Sequence, residues 1–489
     1  MKKSILETLK NNKILIFLFI FSLFIRLIFI NEDMPFITHP DEPTVVNSTL
    51  NLRYDLNPKH FDWPTFYYYI NYLFFSIIFL VERISNKLGF ANSSIVATEN
   101  FYLMSRIVTS FFGALSVVFM YLFVHKLTKK SDISLISAIV LSVLPFHITR
   151  SAQSLTDVPM LFFIICSLYY LSKNIDEFSW KNIYISSLFV GFAVSTKYNA
   201  YMISLSLILF IFLIKKFSIK DFLNYVYASF FAFLGFLIGT PYALLDFKTF
   251  IRDDGPKGAL WQFKNVGSIG IFEQIPAFFN NIGISLLPDF AFIPWILTLV
   301  FIAYFIYQNI FLVEKGKLFK DNYSKFILIL IIQFIFIMWS VSGVKIQRSH
   351  YFMAVYSIVP VFVAILISKN QRILYGSLIT TFVLSLVLLV SNISSNSRIE
   401  FFERVDFKNE KKNYNILYSD SELKEVFKKL DIKSDEFDPG MLDFNSKYYT
   451  HLISSQNLCT GSGECNYKLI ERITNKEKGN DLFIYEIKK

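Results

Sequence analysis

The feature that most restricts this chain is a recurring one: apolar runs close to the ~20 residues that span a bilayer core, separated by short lysine-bearing loops. Eleven such runs stand out, at about 14–30, 104–124, 133–149, 158–172, 182–196, 199–214, 222–241, 288–312, 324–342, 351–368 and 373–391. Only 18% of the residues are charged and 54% are hydrophobic, with 56 Phe. A water-soluble domain keeps roughly a quarter of its residues charged, so the solvent for most of this chain is lipid. The net charge of +10 would suggest nucleic acid in a soluble protein. Here the lysines lie between membrane runs, where they set orientation, and no nucleic-acid partner is expected.

Orientation depends on one further apolar stretch, 65–82. Lys2, Lys3, Lys10 and Lys13 place the N-terminus in the cytoplasm by the excess of inner-loop cations. If 65–82 does not invert the chain, the loops at Lys126/Lys129/Lys130, Lys173/Lys181, Lys215/Lys216/Lys220, Lys315/Lys317/Lys320 and Lys369/Arg372 all fall inside. We therefore read 65–82 as an interfacial or re-entrant helix within a long first outer loop, 31–103. A second outer loop covers 242–287.

After about 392 the composition turns polar. Asn415–Tyr418 reads as a strand, Ser421–Leu430 as a helix, and Leu469–Thr474 with Leu482–Ile487 as a hairpin. The expected fold class is an all-α polytopic membrane protein of about 11 transmembrane helices (1–391). A small α/β extracytoplasmic C-terminal domain (392–489) follows. Cys459 and Cys465 could pair in an oxidising compartment, whereas Cys166 lies in an apolar run and reads as packing. The first apolar run has no small-residue cleavage site and reads as a retained helix.

On this topology the chain's distinctive ionisable residues share the outer side. His39-Pro40-Asp41-Glu42-Pro43 follows the first helix, and adjacent carboxylates there can do acid–base work if one stays ionised. A solvated loop capping the next helix would use the same residues. Asp157 opens the fourth run just before Pro159, where an acid also serves as an ordinary helix start. Arg53, Arg106, Arg150, Lys197, Lys345 and Arg348 are outer cations, against the inner bias. Singly, each could snorkel to lipid headgroups; together they suit an anionic headgroup such as a phosphate. Phe61-Asp62-Trp63-Pro64 with Tyr67, Tyr68 and Tyr69 sets aromatic rings at the water interface, where Trp and Tyr anchor regardless of function. No P-loop, GxGxxG fingerprint or paired-ligand zinc spacing occurs.

Residues 1 to about 390 resemble the C-type glycosyltransferase fold (GT-C), in particular protein O-mannosyltransferases, aminoarabinose transferases and bacterial lipopolysaccharide glycosyltransferases. The resemblance rests on ordered fragments. Pro40-Asp41-Glu42 follows the first helix and Trp63-Pro64 opens the non-inverting one. Arg106 with Gly113 begins the second run, and Asp157 tops the fourth. Ser195-Thr196-Lys197-Tyr198 joins the fifth and sixth, Gly239-Thr240-Pro241-Tyr242 ends the seventh, and Arg348 to Pro360 covers the tenth.

What the resemblance implies is inverting transfer of a sugar from a polyprenyl- or dolichyl-phosphate carrier to a hydroxyl acceptor (glycolipid, polysaccharide or protein) at the outer face of the plasma membrane. It assigns Asp41 as base or orienting group, with Glu42 beside it and Asp157 shaping the pocket. A divalent metal (Mg or Mn) would be held, if at all, by Asp41 and Asp157. Arg348, with Lys345, Arg106 and Lys197, would contact the donor phosphate. His39, Trp63, Tyr198, His350 and Tyr351 would line the pocket. Several relatives carry Lys-Pro-Pro or His-Pro-Pro where this chain has Asp62-Trp63-Pro64, which leaves that phosphate contact open. The competing expectation is a transporter or flippase, against which stand sparse intramembrane charge and the lack of visible repeat symmetry.

Overall fold

A proline decides the first departure from straight spans. Leu144 precedes Pro145 and takes an extended backbone (φ −64°, ψ 122°), as the residue before a proline must when the ring crowds it. The run at 133–149 is consequently two helices, α5 and α6 below, bent by 61°. A second bend of 49° separates Ser349–Ser357 from Val359–Ile367 at Pro360, whose ring and missing N–H disrupt the preceding turn.

The computed structural model describes residues 2–31, 39, 41–87, 98–255, 257–285, 291–310 and 321–368, and five strands between 416 and 487. The helical part runs α1 (Lys2–Leu27), α2 (Glu42–Asn51), α3 (Phe66–Lys87), α4 (Thr98–Thr128), α5 (Ser131–Val143), α6 (Pro145–Ser151), α7 (Asp157–Ser172) and α8 (Trp180–Thr196). Helical segments Tyr198–Lys215, Phe222–Gly239, Phe292–Ile310, Asn322–Ser342 and Ser349–Ile367 complete it. Ten of the eleven apolar runs are thus helical; the eleventh, 373–391, lies outside the described residues. Five helices among the described residues are long and apolar enough to cross a membrane, or seven if each bent pair is one span. About eleven spans were expected, and this count of five to seven covers only the described residues, which leave out 373–391. Asp157–Ser172 is apolar but only 16 residues long, so at 1.5 Å per residue it covers roughly 24 Å.

The helices pack around α4, α7 and α8. Phe66 stacks between Phe163 and Phe192 at ring-centroid distances of 5.4 and 5.1 Å, which fixes the start of α3 against α7 and α8. Tyr67, Tyr68, Asn71, Phe75 and Ile78 are the buried face of α3, while Leu73, Ile77 and Leu80 are exposed. α3 is not among the candidate spans.

Two loop clusters mark opposite ends of the bundle. At one, Lys126 bonds Asp176 at 2.8 Å with Lys129 on the same carboxylate, Asn322 donates to the Ile175 carbonyl at 3.0 Å, and Lys215 pairs with Asp221 at 3.0 Å. At the other, Phe61 N–H donates to the Lys257 carbonyl at 2.7 Å. Asn57 there donates to Asp246 at 2.8 Å, Thr65 to the Gly239 carbonyl at 3.0 Å, and Ile269 N–H to the Gly343 carbonyl at 2.9 Å. The long first loop, the 242–287 loop and the 343–348 segment therefore share one end. That grouping is the one the lysine pattern of the sequence required.

A second unit comprises 31–40 and 389–489. Within it β1 (Ile416–Tyr418), β2 (Ser434–Glu436), β3 (His451–Ser454), β4 (Tyr467–Thr474) and β5 (Asp481–Ile487) form one sheet in the order β2-β1-β3-β5-β4. β1 is parallel to β2 and β3, and β5 is antiparallel to β3 and β4, with an irregularity between Leu469 and Glu471. The first strand and the hairpin coincide with segments legible in the sequence. The short β2 and β3 had no such pattern. The helix expected at 421–430, Cys459 and Cys465 lie outside the described residues. Cys166 is buried.

Glycines permit the tightest contact in the bundle. A Cβ on Gly191 of α8 would stand 2.1 Å from the backbone oxygen of Ala232, and one on Gly235 would stand 2.3 Å from that of Leu188. Backbone cannot step aside as a side chain can. Gly191→Ala should therefore lower the thermal midpoint of the detergent-solubilised protein, at a cost of about 1–3 kcal/mol. Gly270→Ala, which meets nothing within 4 Å, should leave it unchanged.

Candidate functional site

Asp41 and Glu42 sit side by side at the start of α2, where negative charge is favoured by the exposed N–H groups of the first turn, and Pro43 suits that turn. Their environments differ. Glu42 is completely buried. Arg106 of α4 grips it with Nε on Oε1 at 2.9 Å and Nη2 on Oε2 at 2.7 Å. The Ser154 N–H also donates to Oε1, at 2.6 Å. Arg106 is itself only 2% exposed and donates through Nη1 to the Ile30 carbonyl at 2.8 Å. One bidentate pair thus ties the end of α1, the start of α2, the body of α4 and the turn before α7. Tyr67 braces the same place, donating to the Ser105 carbonyl at 3.2 Å and contacting Thr109.

This bears on two of the expected assignments. Glu42, expected as a second acid beside Asp41, has both oxygens engaged inside the protein. Arg106 does not present its guanidinium to a donor phosphate, because Glu42 and the Ile30 carbonyl hold it inside the protein. Both residues position the groups around them.

Three residues beyond Ser154, Asp157 opens α7 with its carboxylate buried. Lys197 donates to Asp157 Oδ1 at 2.5 Å from an extended backbone (φ −154°, ψ 126°) between α8 and Tyr198. Its Nζ also lies 5.6 Å from the centre of the Tyr351 ring. Lys197, expected behind Arg348 at the donor phosphate, is engaged with Asp157 in this structure. Asn199 donates to the Tyr351 carbonyl at 3.2 Å, and His350 packs edge-on against Tyr351 at 4.7 Å.

Asp41 is half-buried. Burial pushes its carboxyl above the ordinary value of 3.8, Lys197 pulls it back, Asp157 pushes it up, and Arg150 and Arg348 pull it down. Asp157 in turn feels Lys197, His350 and Arg150. Segments far apart in the chain thus bring Asp41, Asp157, Lys197, Arg150 and Arg348 within electrostatic reach of one another. Arg348 precedes the Ser349–Ser357 turn in extended conformation (φ −134°, ψ 138°) and is exposed.

The other expected contributors have contacts of their own. Lys345 is exposed, and its backbone N–H bonds the Gly267 carbonyl at 3.3 Å. Arg53 lies over the Phe79 ring at 4.8 Å. Tyr198 donates to the Phe61 carbonyl at 2.7 Å, and Trp63 packs against the cluster of Val45, Leu52, Tyr67 and Tyr68. His39 belongs to the second unit. Arg150 was visible in the sequence only as one of several outer cations; the bend at Pro145 is what turns α6 so that its last turn carries Arg150 beside the acids.

Among the described residues no three His, Cys, Asp or Glu side chains converge, and the ammonium of Lys197 already neutralises Asp157. The cationic partner of this acid is a side chain.

Residues 99–239 match the family model described as dolichyl-phosphate-mannose-protein mannosyltransferase. The chain is 29% identical over 151 residues to dolichyl-phosphate-mannose–protein mannosyltransferase 1 of Saccharomyces cerevisiae, covering 29% of this chain and 18% of that protein. Among solved structures it superposes on ArnT from Cupriavidus metallidurans bound to undecaprenyl phosphate with a TM-score of 0.51. The identity is 12%, over 80% of this chain and 66% of that one. The oligosaccharyltransferase AglB from Archaeoglobus fulgidus, in complex with an inhibitory peptide and a dolichol-phosphate, gives a TM-score of 0.50. There the identity is 10%, over 92% of this chain and 70% of that one. The chain thus spans about a fifth of the curated relative and about two thirds of ArnT, and its fold is like that of ArnT and AglB.

Removing one partner of a buried ion pair strands the other. Arg106→Met should destabilise the protein by about 3–5 kcal/mol, read as a lowered thermal midpoint. The double variant Arg106→Met/Glu42→Met should recover part of that loss, because no charge is left buried alone.

Proposed function

We propose that this chain is an inverting glycosyltransferase. It moves a sugar from a polyprenyl- or dolichyl-phosphate carrier to the hydroxyl of a glycolipid, polysaccharide or protein at the membrane–water interface. One observation carries the reading: Asp41, the half-buried carboxylate of the first loop, lies in the field of Lys197, Arg150 and Arg348 from three distant segments. The match of residues 99–239 to a mannosyltransferase family model supports the same class.

A sugar on a lipid phosphate is already activated, so the reaction needs two things from the protein. The incoming hydroxyl must lose a proton, and the departing phosphate must have its negative charge stabilised. Asp41 takes the proton. Arg348, the exposed cation of the cluster, meets the phosphate with Arg150 behind it. Asp157 and Lys197 form an internal pair that holds the floor of the site and keeps Lys197 oriented toward Tyr351. Attack from the side opposite the phosphate inverts the anomeric centre. No step passes through a metal. The cell placement that goes with this reading is a multi-pass protein of the plasma membrane, its Asp41 end and its C-terminal α/β domain both extracytoplasmic.

Incubation of the purified protein with a polyprenyl-phosphate sugar and a hydroxyl-bearing acceptor should release lipid phosphate as the sugar passes to the acceptor. Asp41→Asn should lower that rate by about 10²–10⁴-fold with the protein still folded; near wild-type turnover would remove Asp41 from the mechanism. The base must be ionised, and its carboxyl lies above the usual value. Activity should therefore fall on acidification along a limb displaced upward from the ordinary carboxylate range. A limb at or below that range would contradict the environment described.

A further inference from the structure

The helix Ile271–Asn280, in the 242–287 loop, carries its polarity the wrong way round for a segment washed by water. At about 100° per residue, Ile271, Phe272, Ile275, Pro276 and Phe279 fall on one arc. All five are exposed, Phe272 by 88%. Its polar residues turn inward instead. Gln274 donates to the Trp339 carbonyl at 2.8 Å. Asn281, the capping residue and only 3% exposed, donates to the Ser342 hydroxyl at 2.8 Å and to Gln347 Oε1 at 3.1 Å. Phe278 packs edge-on against Trp339 at 5.6 Å. Between the two arcs lie Glu273 and Asn280, polar and exposed. One helix thus meets three surroundings: protein, water, and a third that is apolar.

Its place in the bundle says what the third one is. Gln274, Phe278 and Asn281 fasten it to the last turn of Asn322–Ser342. Trp295, in the first turn of Phe292–Ile310, donates to the Ile282 carbonyl just beyond it at 2.7 Å. Both of those helices are long and apolar enough to cross a membrane. Ile335 on the first, and Phe292 with Ile296 on the second, are their own exposed apolar side chains toward that end. The exposed arc therefore continues the lipid-facing surface of two spans at the level where they stop. An amphipathic helix at that level lies in the interface plane, its apolar face buried about 5–10 Å into the headgroup and acyl boundary. The same segment is also stitched to the chain that leads to Arg348. Ile269 N–H donates to the Gly343 carbonyl at 2.9 Å, and the N–H groups of Lys345 and Ile346 donate to Gly267 and Val266, each at 3.3 Å. Gln347, held by Asn281, donates to the Ser342 carbonyl at 2.9 Å, and Arg348 is the next residue. We propose that the 271–280 helix is a membrane-surface anchor. Its apolar arc sits among the acyl chains of the leaflet at the Asp41 end, and through Gln347 it holds Arg348 at the depth of the lipid headgroups. The seat in lipid is independent of the glycosyltransferase reading; its effect on the donor rests on that reading.

The test uses the full-length protein in vesicles of phosphatidylcholine and phosphatidylglycerol. Phe272→Trp and Phe279→Trp should each add fluorescence that phosphatidylcholine brominated high in its acyl chains quenches and aqueous iodide does not. Glu273→Trp, on the polar edge, should show the reverse. Quenching of all three by iodide alike would overturn the seat. So would protection of positions 272 and 279 from both quenchers, because protein would then cover the arc. The link to Arg348 is read by binding and turnover. Phe272→Asp/Phe279→Asp should weaken binding of bare undecaprenyl phosphate about tenfold. It should raise KM for an undecaprenyl-phosphate hexose by the same factor, with kcat held within about twofold. In an Arg348→Gln background the same pair should change the affinity by less than about twofold, whereas independent sites would add. Unchanged affinity in the first background, or the full tenfold loss in the second, would overturn the link. Both phenylalanines are exposed, and Phe272→Ser/Phe279→Ser serves if the aspartate pair fails to accumulate. If the wild type binds the bare lipid but releases none from a hexose donor, the transferase reading fails, while quenching and lipid binding still decide the anchor.

Discussion

The buried pair between Glu42 and Arg106 is the constraint from which the rest of the site follows. Two charges inside a helical bundle are tolerated only when each satisfies the other and the surrounding polar groups close around them. Here the closure includes the Ile30 carbonyl and the Ser154 N–H. These belong to the end of the first helix and to the turn that launches Asp157. One ion pair thereby sets the separation between the segment carrying Asp41 and the helix carrying Asp157. Neither could shift without breaking a bidentate contact in a region that water does not reach.

Adjacent residues have separate tasks for the same reason. Glu42 turns inward and is consumed by Arg106, whereas Asp41 faces the cluster of Lys197, Arg150 and Arg348. Backbone direction at the first turn of α2 makes the choice, because successive side chains around a helix point about 100° apart. The same division appears between Asp157 and Asp41. The first is neutralised by a lysine 2.5 Å away. The second is held part-way between burial, which disfavours its charge, and three cations, which favour it. Carboxylates kept in unlike surroundings can do unlike work.

Anchoring of the long first loop is the second structural theme. Phe66 stacked between α7 and α8, Thr65 on Gly239, and Phe61 on Lys257 fasten the loop at its middle. Asp62 and Trp63 lie between those fastenings and Tyr68 just beyond them. A loop pinned so closely can present side chains with the fixed geometry that recognition requires. Glycines contribute where backbones meet, as at Gly191 and Gly235, and the bend at Pro145 delivers Arg150.

Much of this molecule was legible in its residues because lipid imposes a coarse rule: apolar length makes a helix and the placement of lysine sets its direction. The apolar runs, the shared side of Asp41, Asp157, Lys197 and Arg348, and the terminal hairpin follow from pattern alone. What pattern could not supply was pairing. Glu42 and Arg106 read as a catalytic acid and a phosphate ligand because nothing local records that they are 64 residues apart in sequence and in contact in space. Arg150 was one cation among several until the proline bend turned it toward the acids. Solvent preference is written residue by residue, so the sequence determined it. Which charge answers which is a property of packed helices, and the tertiary structure alone decided it.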